Sequence, residues 1–125
     1  MSDMKSIVNS PISQYDIWFA DLKGEENSCV QYGKRPVLIV SNDIANRYSP
    51  VVTIVPLTSK QKKKYLPTHV KLFPVGLLYP STALCEQIQT IDKARLSNKL
   101  TSLTDKADIK AVTYAVSAQL MPLSN

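Results

Sequence analysis

Gly33-Lys34-Arg35-Pro36-Val37-Leu38-Ile39-Val40-Ser41-Asn42-Asp43 opens with a charged turn, runs through an unbroken apolar core and ends in polar residues. Val37 to Val40 favours β structure without alternating, which predicts a central strand whose two faces are both buried. Pro36 has no backbone N–H and so suits the first residue of that strand rather than its interior. Arg35 then stands at the rim, where a planar guanidinium can meet a phosphate or carboxylate through two parallel hydrogen bonds. Taken alone, an Arg-Pro pair is more often an ordinary surface salt bridge.

On the N-terminal side, Tyr15 to Leu22 reads as a strand, with Ile17, Phe19 and Asp21 on one face and Trp18, Ala20 and Leu22 on the other. Residues 1–14 lack apolar periodicity and read as a flexible tail ahead of a single domain over 15–125. Lys23 to Lys34 is polar and long, a loop feeding the central strand. On the C-terminal side, Ser41 to Pro50 reads as a polar connection with turn signals, and Val51 to Leu57 as a second buried strand. Pro56 predicts an edge position or a bulge there, turning Thr58 out beside the mouth of the sheet. Ser59 to Tyr65 is the most basic segment and reads as a loop.

Further on, Thr68 to Phe73 alternates as a strand, with Val70 and Leu72 inward and His69 and Lys71 outward. Thr82 to Ile91 supplies one or two short strands, in which Glu86 and Gln87 would point to opposite faces. Asp92 to Leu96 suits a single helical turn and Lys99 to Leu103 another strand. The final segment is the clearest helix. Thr104 is placed as its N-cap, Asp105 and Asp108 in its first turn, Ile109, Val112, Val116 and Leu120 on one face, and Pro122 at its end. Together these elements predict an α+β domain: a small, strongly bent antiparallel β-barrel with a C-terminal α-helix.

A chain of 125 residues with 44% hydrophobic content suits one compact core. No apolar run approaches the roughly 20 residues that span a bilayer, and the N-terminus lacks a signal-peptide pattern, so the expectation is a soluble cytoplasmic protein that meets no membrane. Cys29 and Cys85 have neither metal-ligand nor redox-motif spacing and read as free thiols. A net charge of +5 favours an acidic partner, be it nucleic acid, an anionic membrane or an acidic protein. There is no glycine-rich phosphate cradle, no nucleophile elbow and no metal-ligand cluster, and His69 is the only histidine. What remains for chemistry is a cation and a hydroxyl, with no metal or cofactor.

The run Gly33 to Asp43 resembles the signature of the MazF/PemK (Kid) toxins, sequence-specific endoribonucleases of bacterial toxin–antitoxin pairs. Asp16-Ile17-Trp18-Phe19-Ala20-Asp21-Leu22 precedes it in the family's order, and Asn46 to Pro50, Val55-Pro56-Leu57-Thr58-Ser59, Leu66-Pro67-Thr68-His69-Val70 and Leu84 to Lys93 follow. The resemblance implies the bent barrel, a homodimer, single-stranded RNA as substrate and an acidic antitoxin as partner. It maps the catalytic residues onto Arg35 and Thr58, and implies a structural role for His69. It also implies metal-independent, ribosome-independent cutting of mRNA by the RNA's own 2′-hydroxyl, leaving a 2′,3′-cyclic phosphate and a 5′-hydroxyl.

Gln31, Asn42, Ser59, Lys60, Lys62, Lys63, Glu86, Gln87 and Gln89 are the RNA-contact candidates. Gln31 reads either as an amide that meets a base edge or as a solvated loop residue, and the lysines either as a solvated charge run or as a track for the phosphate backbone. Three departures stand out from the family pattern: Tyr15 where Gly usually precedes the Asp, Val30 where a Glu is common, and Gln89 where an Arg is common. Two other classes stay open at this point, a CcdB-like gyrase poison acting by protein contact and a catalytically silent RNA-binding module. Retention of both Arg35 and Thr58 favours the nuclease.

Overall fold

Val37, Leu38 and Ile39 are completely buried, as are Ile54 and Val55 on the neighbouring strand, so the sheet centre has no solvent-facing side. The computed structural model describes residues 11–60, 66–74, 76–77 and 79–122. Within them lie β1 (Asp16–Leu22), β2 (Gly33–Ile39), α1 (Asp43–Tyr48), β3 (Val51–Thr58), β4 (His69–Leu72), β5 (Ser81–Leu84), β6 (Gln89–Asp92), β7 (Leu96–Ser102) and α2 (Lys106–Leu120). The strands run in the order β4-β5-β3-β2-β1-β7, with β6 also on β3, and every pairing is antiparallel.

The register explains the two apolar faces. Ile17 pairs with Leu38 and Leu38 with Val55, and this row joins Leu57, Leu72, Ala83 and Leu103 in one core with Val112 and Ala115 of α2. Trp18 pairs with Val37 and Ile39 with Ile54, and this row joins Ala20, Leu22, Val52, Ile91 and Leu96 in a second core. The second core contains residues of both β6 and β7, so the sheet curls around it, and the 3₁₀ turn Lys93–Arg95 bridges the two strands. Arg95 Nη1 fastens that turn by donating to the Asp21 carbonyl at 2.6 Å. Asp16 is buried and accepts from Ser13 N–H, Trp18 Nε1 and Ser102 Oγ, which ties the start of β1 to β7.

Both prolines sit elsewhere than their chemistry alone suggested. Pro36 lies inside β2, opposite Phe19, rather than at its start. Val40 N–H donates to Thr53 C=O, so by alternation residue 36 also turns its backbone toward β3. Without an N–H it cannot complete a bond to Leu57, and the β2–β3 ladder ends at the Val37–Pro56 pair. Pro56 makes no edge or bulge: it is fully buried where β3 changes partner from β6, last paired at Ile54, to β5, first paired at Leu57. Thr58 therefore stays in the sheet, paired with Thr82.

Other boundaries moved for polar reasons. Ser41 to Pro50 contains α1 rather than turns alone, because Asn42 Oδ1 caps it by accepting from Ala45 N–H at 2.9 Å. The N-cap of α2 is Asp105, not Thr104: its Oδ1 accepts from the N–H groups of Ala107 and Asp108. Val112 is buried at the centre of the predicted stripe, but Leu120 is 68% exposed. Tyr15 has φ 72°, a left-handed conformation in which glycine is unstrained, and this gives the family's usual Gly at that place a physical reason. Here the strain is offset by packing on the first core, a backbone bond to Ile39 C=O at 2.7 Å and a 2.6 Å hydroxyl bond to Thr113.

Of the N-terminal fourteen residues, Ile12 packs on the second core, and Gln14 bonds the Asp43 carboxylate and the Val40 carbonyl. Residues 1–10 lie outside the described residues.

Candidate active site

The interrupted ladder creates the site. Continuing the Val37–Pro56 register two steps further places Arg35 across from Thr58, beyond the point where Pro36 ends the pairing. The two residues line one open cleft of ≈ 350 Å³ with Gln31, Lys34, Ser59 and Lys60. Among the described residues no carboxylate lines it, and three cations do. Its polar groups are a guanidinium, ammoniums, hydroxyls and an amide, which suit an anion. Among the described residues no three His, Cys, Asp or Glu side chains gather to hold a metal ion.

Arg35 is preoriented by the loop before it. Its Nε and Nη2 donate to the Tyr32 carbonyl at 2.9 and 2.8 Å, which fixes the guanidinium plane. Three of its five N–H groups remain for a ligand. Gly33 has φ +80°, so the turn that delivers Tyr32 to this position requires a residue without Cβ strain. Thr58 is 7% exposed, and its Oγ1 accepts from Lys60 N–H at 3.2 Å. Its hydroxyl proton is thus available to donate to an oxygen in the cleft.

The loop is clamped from the far side of the chain. Gln87 Oε1 accepts from Gln31 N–H at 2.7 Å and Gln87 Nε2 donates to Cys29 C=O at 3.3 Å. Gln87 lies in the 3₁₀ turn Cys85–Gln87, where the alternation expected of a strand does not apply. In the same turn Glu86 accepts from Thr68 Oγ1 at 3.0 Å and pairs with His69 Nε2 at 2.8 Å. Leu66 N–H donates to His69 Nδ1, so the ring proton sits on Nε2 and points at the carboxylate. Burial opposes the Glu86 charge, but the bonds from His69, the backbone and Thr68 outweigh it and hold the carboxyl below its ordinary pKa. Burial, with help from Glu86, pushes the Cys85 thiol up to about 12, which makes it an inert core residue.

Of the residues singled out in the sequence, the cleft therefore gathers Arg35, Thr58, Gln31, Ser59 and Lys60. Glu86 and Gln87 are not among its lining residues, and their side chains bond Thr68, His69, Gln31 and Cys29. Asn42 caps α1 past the opposite end of β2, with its side-chain carbonyl occupied. Gln89 lines a different cavity of ≈ 310 Å³ beside Lys23 and Arg95. Lys62 and Lys63 lie outside the described residues. Lys34 was missed, although it directly precedes Arg35 in the charged turn.

The chain matches the PemK-like, MazF-like toxin of type II toxin–antitoxin systems over residues 13–120 and belongs to that family. It is 43% identical over 97 residues to the endoribonuclease EndoA of Bacillus subtilis, covering 76% of this chain and 83% of that protein. It is 42% identical to the endoribonuclease MazF of Staphylococcus saprophyticus, covering 84% and 88%. A mycobacterial endoribonuclease solved with its cognate antitoxin superposes with a TM-score of 0.72 at 27% identity, over 90% of this chain and 99% of that one. MazF of Deinococcus radiodurans shares the fold, with a TM-score of 0.74 at 19% identity over 89% and 97%.

Proposed function

We propose that this protein is the endoribonuclease toxin of a type II toxin–antitoxin system and cuts single-stranded RNA at the Arg35–Thr58 cleft. The observation that carries the reading is that the preoriented Arg35 guanidinium and the Thr58 hydroxyl line one cationic cleft. The relatives named endoribonucleases support the activity, and the mycobacterial complex supports an antitoxin as partner.

RNA carries its own nucleophile, so the protein has to place and stabilise rather than attack. The 2′-oxygen bonds to the neighbouring phosphorus and loses its proton. The bond from phosphorus to the 5′-oxygen breaks, and that oxygen gains a proton. The products are a 2′,3′-cyclic phosphate and a 5′-hydroxyl, with no net proton change. Charge builds on the non-bridging oxygens in between, and the free N–H groups of Arg35 meet it in two-pronged geometry. Thr58 donates to a reacting oxygen and fixes the line of attack. An unactivated hydroxyl is a weak base, so positioning and charge stabilisation carry more of the rate than proton abstraction does.

The same reading makes the protein a homodimer acting in the cytoplasm on mRNA, independently of the ribosome and at a short recognition sequence. Exposed Ile44, Tyr48, Tyr114 and Leu120 supply apolar surface for self-association. Among the described residues no helix is long and apolar enough to cross a membrane. An acidic antitoxin segment would compete with RNA for the cationic cleft.

The test is incubation of the purified, folded protein with a long single-stranded RNA in EDTA, followed by analysis of the new ends. Cleavage at a few sites with cyclic phosphate on the upstream fragments is expected. Intact RNA at high protein concentration would overturn the reading.

A further inference from the structure

A second cleft, of ≈ 320 Å³, shares Ser59 and Lys60 with the Arg35–Thr58 cleft and is also lined by Thr82 and two aromatic residues, Phe73 and Tyr79. These rings are 67% and 68% exposed. Leu77 lies against the first core, and Gly76, at φ +101°, brings its backbone so close to Thr101 of β7 that a Cβ would stand 3.0 Å from the Thr101 Cβ. Gly76 and Leu77 are therefore seated on the protein while Phe73 and Tyr79, to either side in sequence, present rings outward. The hydroxyl of Ser59 and the ammonium of Lys60 stand between the rings and the reacting pair.

Resting on the ribonuclease reading above, we infer that this cleft is a nucleobase subsite, in which a base adjoining the scissile phosphate stacks on Phe73 and Tyr79 while Lys60, shared by the two clefts, meets the strand's phosphate backbone. The occupant is a segment of the same single-stranded RNA. The two clefts share Ser59 and Lys60 on their rims, and Lys60 is cationic, so one polyanionic strand can lie across both. Aromatic faces accept any base by stacking, and the adjoining Ser59 and Thr82 hydroxyls offer hydrogen bonds that can favour one base over another. The remaining wall is Lys71 and the neighbouring proline. The subsite would thus contribute binding and sequence preference, while chemistry stays with Arg35 and Thr58.

The experiment uses an RNA oligonucleotide spanning a mapped cleavage site, made uncleavable by a 2′-deoxy sugar at the scissile position. A companion set lacks the base at each flanking position in turn. Wild-type protein is expected to lose about tenfold in affinity, roughly 1.4 kcal/mol, when one particular base adjoining the scissile phosphate is removed. The double variant Phe73→Ala, Tyr79→Ala should bind the intact oligonucleotide about tenfold more weakly and be indifferent to loss of that base. Both rings are exposed, so the variant should keep its circular dichroism and melting point. Phe73→Leu, Tyr79→Leu should behave like the alanine variant, and Phe73→Tyr, Tyr79→Phe should restore wild-type binding.

A folded alanine variant with wild-type affinity, an unchanged penalty for the missing base in that variant, or full binding by the leucine variant would overturn the subsite. A variant that binds RNA normally but escapes inhibition by the cognate antitoxin would also overturn it and assign the cleft to that protein. Failure of the wild-type protein to cut any RNA would instead strike the ribonuclease reading, and the subsite with it.

Discussion

The two ends of the β2–β3 pair are both polar, and they differ in what their polar groups have left to do. At the far end, Ser41 Oγ donates to Asn46 Oδ1 at 2.5 Å, Asn46 Nδ2 donates to Ser41 C=O and to Asp43, and Thr53 N–H donates back to Ser41 Oγ. Asn46 is 2% exposed and its bonding capacity is spent inside the chain. At the near end, Pro36 stops the ladder, and Arg35 spends two donors on Tyr32 and keeps three. The closed end holds the pair of strands together, and the open end has donors to offer to a ligand. Polarity by itself therefore does not mark a site; unspent hydrogen-bonding capacity in a fixed direction does.

The comparison breaks most sharply under substitution. Arg35→Ala should lower the single-turnover cleavage rate by about 10²–10³ or more, the size expected for losing preorganised donors to a transition state, while the melting temperature stays at the wild-type value. Thr58→Val keeps the β-branched shape and removes one donor, so a loss of about 10² at most is expected, again without a change in melting temperature. At the closed end the pattern should invert. Asn46→Ala leaves Ser41 and its neighbours short of partners and should cost about 2 kcal/mol of stability by denaturant unfolding, with the rate per folded molecule unchanged.

The smallest effect concerns Glu86, whose carboxyl is held below its ordinary value of 4.5 by bonds from His69, the backbone and Thr68 that outweigh its burial. A group depressed in this way contributes stability in full above its unfolded pKa and loses it as pH falls through the folded value. Glu86→Gln should therefore flatten the acid limb of the stability curve below about pH 4.5 and leave the curve near neutrality with only a modest offset. An acid limb identical to the wild type would show that Glu86 does not titrate against this network.

Much of this contrast was legible from residues alone. The unalternating Val37 to Val40 and Val51 to Leu57 runs gave the doubly buried strands, and the periodic segment around Val112 gave the last helix. The positions of Arg35 and Thr58 came through resemblance, and the register accounts for their sharing one cleft: both lie two steps beyond the Val37–Pro56 pair at which the ladder stops. Pro56 was misplaced because a missing N–H is tolerated where no ladder bond is due, and Pro36 because the bond it cannot make falls where the β2–β3 ladder ends; both depend on pairings far along the chain. The helix α1 escaped notice since it has six residues and is held by an asparagine cap and a buried amide rather than by an apolar stripe. The bonds that Glu86 and Gln87 make within the chain reach partners 17 and 56 residues away and cannot be read locally.

At the open end the account depends on the shape of the Arg35 guanidinium as well as its charge. The most direct test is the single-turnover rate of Arg35→Lys under enzyme excess, with folding checked by circular dichroism. Lysine keeps the positive charge, but it has no planar fork to meet two phosphate oxygens or to chelate the Tyr32 carbonyl. The rate should fall by about 10² or more, close to the alanine variant. A folded lysine variant that cuts RNA at nearly the wild-type rate would contradict the account.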